Sequence, residues 1–250
     1  MPDGSRKQPV CACPSSCTCL RRHVCRLQAV PGSTVTPRAF ARGAPIASAG
    51  AAGLRLHVVA TGMVAAAAVM ADGRRQLMCF HVPGDIICPF SVADADCWAE
   101  ALTETTTWEV ELCCEPGAMR TNPDLCALLF DLAHADLARS LAHVVMLGRL
   151  DGTERLAAFL ADMAQRTGRR RNGCWHVTLP MSREDIADYL GLNAETVSRI
   201  ISRIKKTGLA RFSSPTECEI PDLDLLNAQA PVNAPLPRAL SITGGTELIA

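Results

Sequence analysis

Before Pro123 the apolar residues come in short runs cut by turn signals, whereas from Pro123 to Thr207 they recur every three or four residues. The first pattern predicts strands and the second amphipathic helices. In the first half, Arg42-Gly43, Asp72-Gly73 and Pro83-Gly84-Asp85 punctuate the runs, as turns do in a barrel of antiparallel strands. Gly62 to Met70 and Gln76 to Phe80 flank Asp72-Gly73 and predict a hairpin. The run Ala65–Ala68 inside it favours helix by propensity, but the register of the flanking turns predicts a strand. In the second half Leu125, Leu128, Leu129, Leu132, Leu137, Leu141, Val144 and Val145 form one apolar stripe, and Pro123 suits a first turn, so one helix is expected from Pro123 to Leu150. Asp151-Gly152 breaks it, and Thr153 to Thr167 forms the next helix, ending at Gly168.

Two further helices are bounded by their own start and stop signals. Ser182 and Asp185 make a capping-box pattern, with Met181 and Ile186 at hydrophobic-staple spacing. Gly191 stops that helix, and Asn193 caps another, with Leu192 and Val197 again at staple spacing. On the last helix Val197, Ile200, Ile201 and Ile204 form a buried stripe, while Glu195, Ser198, Arg199, Ser202 and Lys206 share roughly the opposite face. Short and planar hydrogen-bonding groups suit base edges in a major groove. Lys205, Lys206 and Arg211 follow where phosphates would lie. The bland alternative is an ordinary amphipathic helical hairpin with a solvated face. The caps, turn and face chemistry together favour a helix-turn-helix with a recognition helix. His176 to Leu179 predicts a short strand before it. Leu209 to Ser213 and Cys218 to Pro221 flank a turn, like a wing, and Asp222 to Leu226 closes the domain. Arg169-Arg170-Arg171-Asn172-Gly173 is a basic turn that is more simply a solvated loop than a phosphate clamp.

Charge adds little. The formal net charge is zero, so affinity for nucleic acid has to come from a local patch. Leu150 to Phe212 carries eleven Lys/Arg against seven Asp/Glu, a local balance of +4. That sign suits DNA.

The stretch Met181 to Gly208 resembles the DNA-binding domain of the Crp/Fnr family of bacterial transcription regulators. Glu195-Thr-Val-Ser198-Arg199 matches the E-x-x-S-R recognition pattern of its FNR branch. The CRP branch instead has Gly where Ser198 stands and an extra Arg where Ala194 stands. Glu154-Arg-Leu-Ala-Ala-Phe-Leu160 resembles the segment after the family's dimerisation helix, and the resemblance extends more weakly back to about residue 38. It implies an α+β chain: a Cys-rich N-terminal arm over 1–36, a cyclic-nucleotide-binding-like β-roll sensor domain over 37–121, a dimerisation helix over 122–150, a winged helix-turn-helix over 151–228 and a flexible tail over 229–250. It further implies a cytoplasmic homodimer that binds double-stranded DNA at an inverted repeat like TTGAT and works with RNA polymerase. Contacts to DNA are expected from Ser182, Glu195, Ser198, Arg199, Ser202, Lys205 and Lys206. The phosphate site of cyclic-nucleotide-binding relatives needs a Gly-Glu and an Arg-Ser, but Ile86 to Trp98 contains no arginine, so cAMP is not expected.

Cysteine usage raises a separate question. The chain has thirteen, an odd count, and no signal peptide is recognisable, which together argue for a reducing compartment rather than disulfides. Five of them, Cys11, Cys13, Cys17, Cys19 and Cys25, lie in fifteen residues. Sulfur ligands at that density select Fe–S clusters, zinc or copper(I). In the FNR branch three N-terminal cysteines and one from the sensor domain hold a 4Fe–4S cluster, and Cys17, Cys19 and Cys25 resemble the first three. The Cys17-Thr-Cys19 spacing is one residue tighter than usual, and the family's internal ligand position falls on Trp108. Cys88, Cys97, Cys113, Cys114 or Cys13 are alternative fourth ligands. Zinc, thiol oxidation, nitric oxide and haem stay open as signals, and a metal-stapled protein-interaction module is the reading from another class. No Gly-rich phosphate loop, nucleophile elbow or His-Glu-x-x-His helix appears, so an enzyme is not expected. The most apolar stretch, Val58 to Ala71, is too short to span a bilayer.

Overall fold

The computed structural model describes residues 24, 27, 32–46, 54–87, 96–112 and 123–231. Among the described residues eight strands build the N-terminal half: β1 (Thr34–Phe40), β2 (Pro45–Ile46), β3 (Leu54–Thr61), β4 (Val64–Val69), β5 (Arg75–His81), β6 (Ile86–Ile87), β7 (Asp96–Ala101) and β8 (Thr105–Leu112). They form two four-stranded sheets, ordered β1-β8-β3-β6 and β2-β7-β4-β5. All their pairings are antiparallel. The long helix α1 (Pro123–Arg149) follows, then α2 (Gly152–Thr167), β9 (Arg169–Arg171), β10 (Cys174–Thr178), α3 (Arg183–Leu190), α4 (Ala194–Thr207), β11 (Arg211–Phe212), β12 (Glu217–Ile220) and α5 (Leu223–Asn227). Strands β11-β12-β10-β9 make a third sheet against α2 and α4. The chain is thus an α+β fold with a β domain, a long helix and a winged helix-turn-helix.

The alanine run is a strand, β4, in the middle of its sheet. Ala65 and Ala67 lie in the same apolar core as Ala157, Ala161 and Ala164 of α2. Burial in that core outweighs propensity. At the N-terminus the structure differs from an irregular arm that ends at residue 36. β1 starts at Thr34, and Val24 and Leu27, both helical, are buried with Leu56, Val110, Leu125 and Leu128. The Ser33 hydroxyl donates to the Leu27 carbonyl. The expected tail beyond residue 231 lies outside the described residues.

The single stripe read along α1 divides into two. Leu125, Leu128 and Leu132 are buried. Phe130, Leu137, Leu141 and Val144 are 72%, 58%, 56% and 64% exposed. With His134, which stacks on Phe130, these exposed positions step along the helix by alternating fours and threes. That is the spacing of a coiled-coil seam.

One apolar core crosses from the β domain to the helices. Met63, Leu77, Phe80 and Val82 from β4, β5 and their turns join Phe159, Tyr189, Leu190 and Ile200. The Phe80, Phe159 and Tyr189 rings pack mutually, with centroids 5.2–5.8 Å apart, and His143 of α1 stacks on Tyr189 at 4.3 Å. Beside this core, Arg166 of α2 donates to the Phe80 carbonyl at 2.8 Å and to the Asp85 carboxylate at 2.5 Å. Burial alone would raise the Asp85 pKa, but Arg166 and Arg139 hold it below the usual carboxylate value. Asp162 shares Arg166 at 3.2 Å, yet burial dominates there and raises its pKa; its Oδ1 has no hydrogen-bond partner among the described residues.

Two outcomes follow for stability. Arg166→Met is expected to cost about 3 kcal/mol in urea unfolding, because it leaves the buried Asp85 carboxylate with the more distant Arg139, at 4.0 Å, as its counter-charge. His81 is buried, and burial lowers its pKa from 6.5 to about 4. Its neutral form is therefore the folded form, and stability that is complete above pH 6.5 is lost as the pH falls toward 4. The loss amounts to about 3 kcal/mol at most. Urea midpoints measured at pH 7 and pH 5 are expected to converge in His81→Gln relative to the unmodified chain. Part of the slope will remain, since burial lowers the His143 pKa as well.

Candidate nucleic-acid interface

The helix pair α3–α4 is built by its caps. Ser182 accepts from the Asp185 N–H while Asp185 accepts from the Ser182 N–H and hydroxyl, so the capping box closes. Asn193 accepts from the Thr196 N–H at 2.7 Å and starts α4. Between the helices Gly191 has φ +63°, and a Cβ there would meet Leu147 Cδ2 at 3.3 Å. Glycine therefore serves both the left-handed stop and the close approach of α1. Arg155 of α2 fastens the joint. Its guanidinium donates to the carbonyls of Leu147 and Leu150 at the end of α1 and of Leu190 at the end of α3, at 2.7, 2.9 and 2.8 Å. The last carbonyls of two helices thus find one donor.

Val197, Ile200, Ile201 and Ile204 bury one face of α4. The opposite face is open: Glu195, Ser198, Arg199, Ser202, Lys205 and Lys206 are all exposed, as is Ser182 at the start of α3. Arg199 and Glu195, one turn apart, form an ion pair. This holds the guanidinium outward and leaves N–H groups for a planar acceptor. Ser198 and Ser202 donate to the carbonyls of Ala194 and Ser198, both at 2.9 Å, so their lone pairs face solvent. Lys205 departs from a simple phosphate role, because its Nζ lies 5.3 Å from the Phe212 ring centroid at the base of the wing. Arg183 stacks on the same ring and donates to the Pro215 carbonyl at 3.1 Å, which ties the wing tip to α3.

Sequence reasoning missed Arg155, Arg183 and Arg75. The last belongs to β5 and bridges Asp185 and Asp188 of α3 at 2.7 Å each. None has a local signal, since each partner lies on a different element.

The proposed cluster ligands Cys17, Cys19 and Cys25, and the alternatives Cys13, Cys88, Cys113 and Cys114, lie outside the described residues. Cys97 stands in β7 and is not in a disulfide. Trp108 is half-buried in β8, paired with Pro37 and Val58, and its indole offers only an N–H donor. The family's internal ligand position thus does not fit a cluster. Among the described residues no three His, Cys, Asp or Glu side chains are placed to hold a metal ion. Nor is any described helix long and apolar enough to cross a membrane.

Comparison with known proteins agrees with this architecture. Residues 154–229 match a Crp-like helix-turn-helix domain, and residues 37–112 match a cyclic nucleotide-binding domain. The chain is 38% identical over 155 residues to the nitrogen fixation regulation protein FixK of Rhizobium meliloti, covering 62% of this chain and 68% of that one. It is 36% identical over 180 residues to FixK of Azorhizobium caulinodans, covering 72% and 73%. The transcriptional activator protein FnrL of Cereibacter sphaeroides is 30% identical over 181 residues, covering 69% and 71%. The solved structure of FixK2 from Bradyrhizobium japonicum superposes with a TM-score of 0.70 at 29% identity, covering 80% of this chain and all of that one. The capped helix pair, the wing and the β domain are those of a DNA-binding regulator and not of an enzyme, and the chain belongs to the Crp/Fnr family of transcription regulators.

Proposed function

We propose that the chain binds a TTGAT-like inverted repeat as a homodimer and regulates transcription in the cytoplasm with RNA polymerase as its partner. The observation that carries this reading is the open face of α4, on which Arg199 is held outward by Glu195. Arg199 donates two hydrogen bonds to guanine O6 and N7, Ser198 contacts a thymine, and Glu195 accepts from a cytosine amino group while orienting Arg199. Ser202 lies on the same base-facing side, Ser182 and Lys206 meet the backbone, and Lys205, turned toward Phe212, adds positive charge beside it. The exposed seam of Phe130, Leu137, Leu141 and Val144 supports pairing with a second copy, and a two-fold protein suits two half-sites.

For the signal, a regulator that works without a four-ligand cluster has the better support. Trp108 stands at the internal ligand position, and the identities to FixK proteins, at 38% and 36%, exceed those to the anaerobic regulatory proteins of Aggregatibacter actinomycetemcomitans and Haemophilus influenzae, at 27% and 26%. Zinc, thiol oxidation, nitric oxide and haem are the signals open to such a regulator. The cluster is the second reading, carried by the density of Cys17, Cys19 and Cys25 in the sequence. It would be held by those three and a ligand other than residue 108.

Arg199→Ala is expected to lose about 1–3 kcal/mol per half-site and to relax discrimination at one base pair, measured by titration of a duplex carrying the repeat and of single-base variants. Undiminished discrimination overturns the assignment. Lys206→Ala is expected to weaken every duplex about equally and to flatten the dependence of affinity on salt. Protein purified without oxygen is expected to carry little iron or acid-labile sulfide. About four of each per monomer, with bleaching and loss of DNA binding in air, would establish the cluster reading instead.

A further inference from the structure

Helix α3 has a charge problem for an element that crosses a DNA backbone. Its eight residues carry Glu184, Asp185 and Asp188 against Arg183 alone, and Arg183 is already engaged with the wing. Acidic side chains in a first turn favour the helix dipole but repel a phosphate laid along the same turn. Asp185 is the nearest case, since its carboxylate lies 2.8 Å from the Ser182 hydroxyl, on the turn expected to face a phosphate. The compensating charge comes from the other half of the molecule. Arg75, at the start of β5, donates through Nη2 to Asp185 Oδ1 and through Nε to Asp188 Oδ2, both at 2.7 Å. Its neighbour Gln76 donates to the Asp188 carbonyl at 2.6 Å. The three side chains are partly shielded, at 29%, 14% and 29% exposure for Arg75, Asp185 and Asp188, so solvent screens the pairing only in part.

We propose that Arg75 is a positioning residue for DNA binding: it neutralises Asp185 and Asp188 so that α3 can lie against the phosphate backbone. The inference rests on the DNA-binding reading above. It makes the β4–β5 hairpin of the sensor domain a component of the DNA-binding surface's electrostatics without touching DNA.

The test is the salt-dependent affinity of full-length Arg75→Gln, Arg75→Lys and Arg75→Gln/Asp188→Asn for a duplex with the repeat and for an unrelated duplex. Arg75→Gln is expected to weaken both duplexes roughly tenfold at low salt, with the gap narrowing as ions screen the repulsion. Base discrimination is expected to stay intact. Arg75→Lys is expected to retain most of the affinity. The double variant is expected to regain it, because removing the carboxylate replaces the lost cation. A clamp that acted only by docking the hairpin would not be restored by cutting its second half. A double variant no better than Arg75→Gln, with both folded by circular dichroism, overturns the inference, and so does Arg75→Gln that binds like the unmodified chain. If the unmodified chain binds neither duplex, the DNA-binding reading falls and takes this one with it.

Discussion

The structure depends on one guanidinium. Arg166 reaches from α2 to the Phe80 carbonyl and the Asp85 carboxylate of the β domain, while its own helix supplies Asp162. A buried charge of this kind is unforgiving of geometry, because the cost of desolvating both partners is recovered only at close contact. It fixes where the β domain meets α2 in a way that apolar contact alone does not, since hydrophobic attraction has no direction. The ring packing of Phe80, Phe159 and Tyr189 then fills the space that this contact sets.

A second guanidinium does similar service at the other joint. Arg155 gathers carbonyls from the ends of α1 and α3, and Gly191 lets α1 come close. The long helix, the helix that follows it and the helix-turn-helix are therefore fastened at one corner. A displacement of α1 would pull on α3 through hydrogen bonds with definite directions.

What was legible in the sequence is what is encoded locally. The caps at Ser182 and Asn193, the stop at Gly191 and the stripe of Val197, Ile200, Ile201 and Ile204 needed no knowledge of distant residues, and all are found as read. The alanine strand was legible only through its flanking turns, because what stabilises it is an apolar core shared with a helix ninety residues away. Arg75, Arg155 and Arg166 were invisible for the same reason. An arginine in a sequence looks solvated until the fold brings its carboxylate or carbonyl, and Arg75 finds Asp188 across 113 positions. The stripe of α1 was read as one surface because a period marks apolar positions without saying what covers each. Leu125 and Leu137 are alike in sequence and opposite in environment. The exposed polar face of α4 was legible, but the turning of Lys205 toward Phe212 was not.

The continuous core across the two halves has a consequence for where this molecule can be cut. By sequence similarity the boundaries fall after residue 112 and before residue 154. The apolar interior ignores them, because Leu77 and Phe80 are as much part of it as Phe159 and Tyr189. A fragment that starts at α2 would contain the whole reading helix yet leave the rings of Phe159 and Tyr189 facing water. The two halves are therefore expected to melt together as one cooperative unit. In such a molecule a change in the β domain need not travel to a separate module, because α2 to α4 already share its interior.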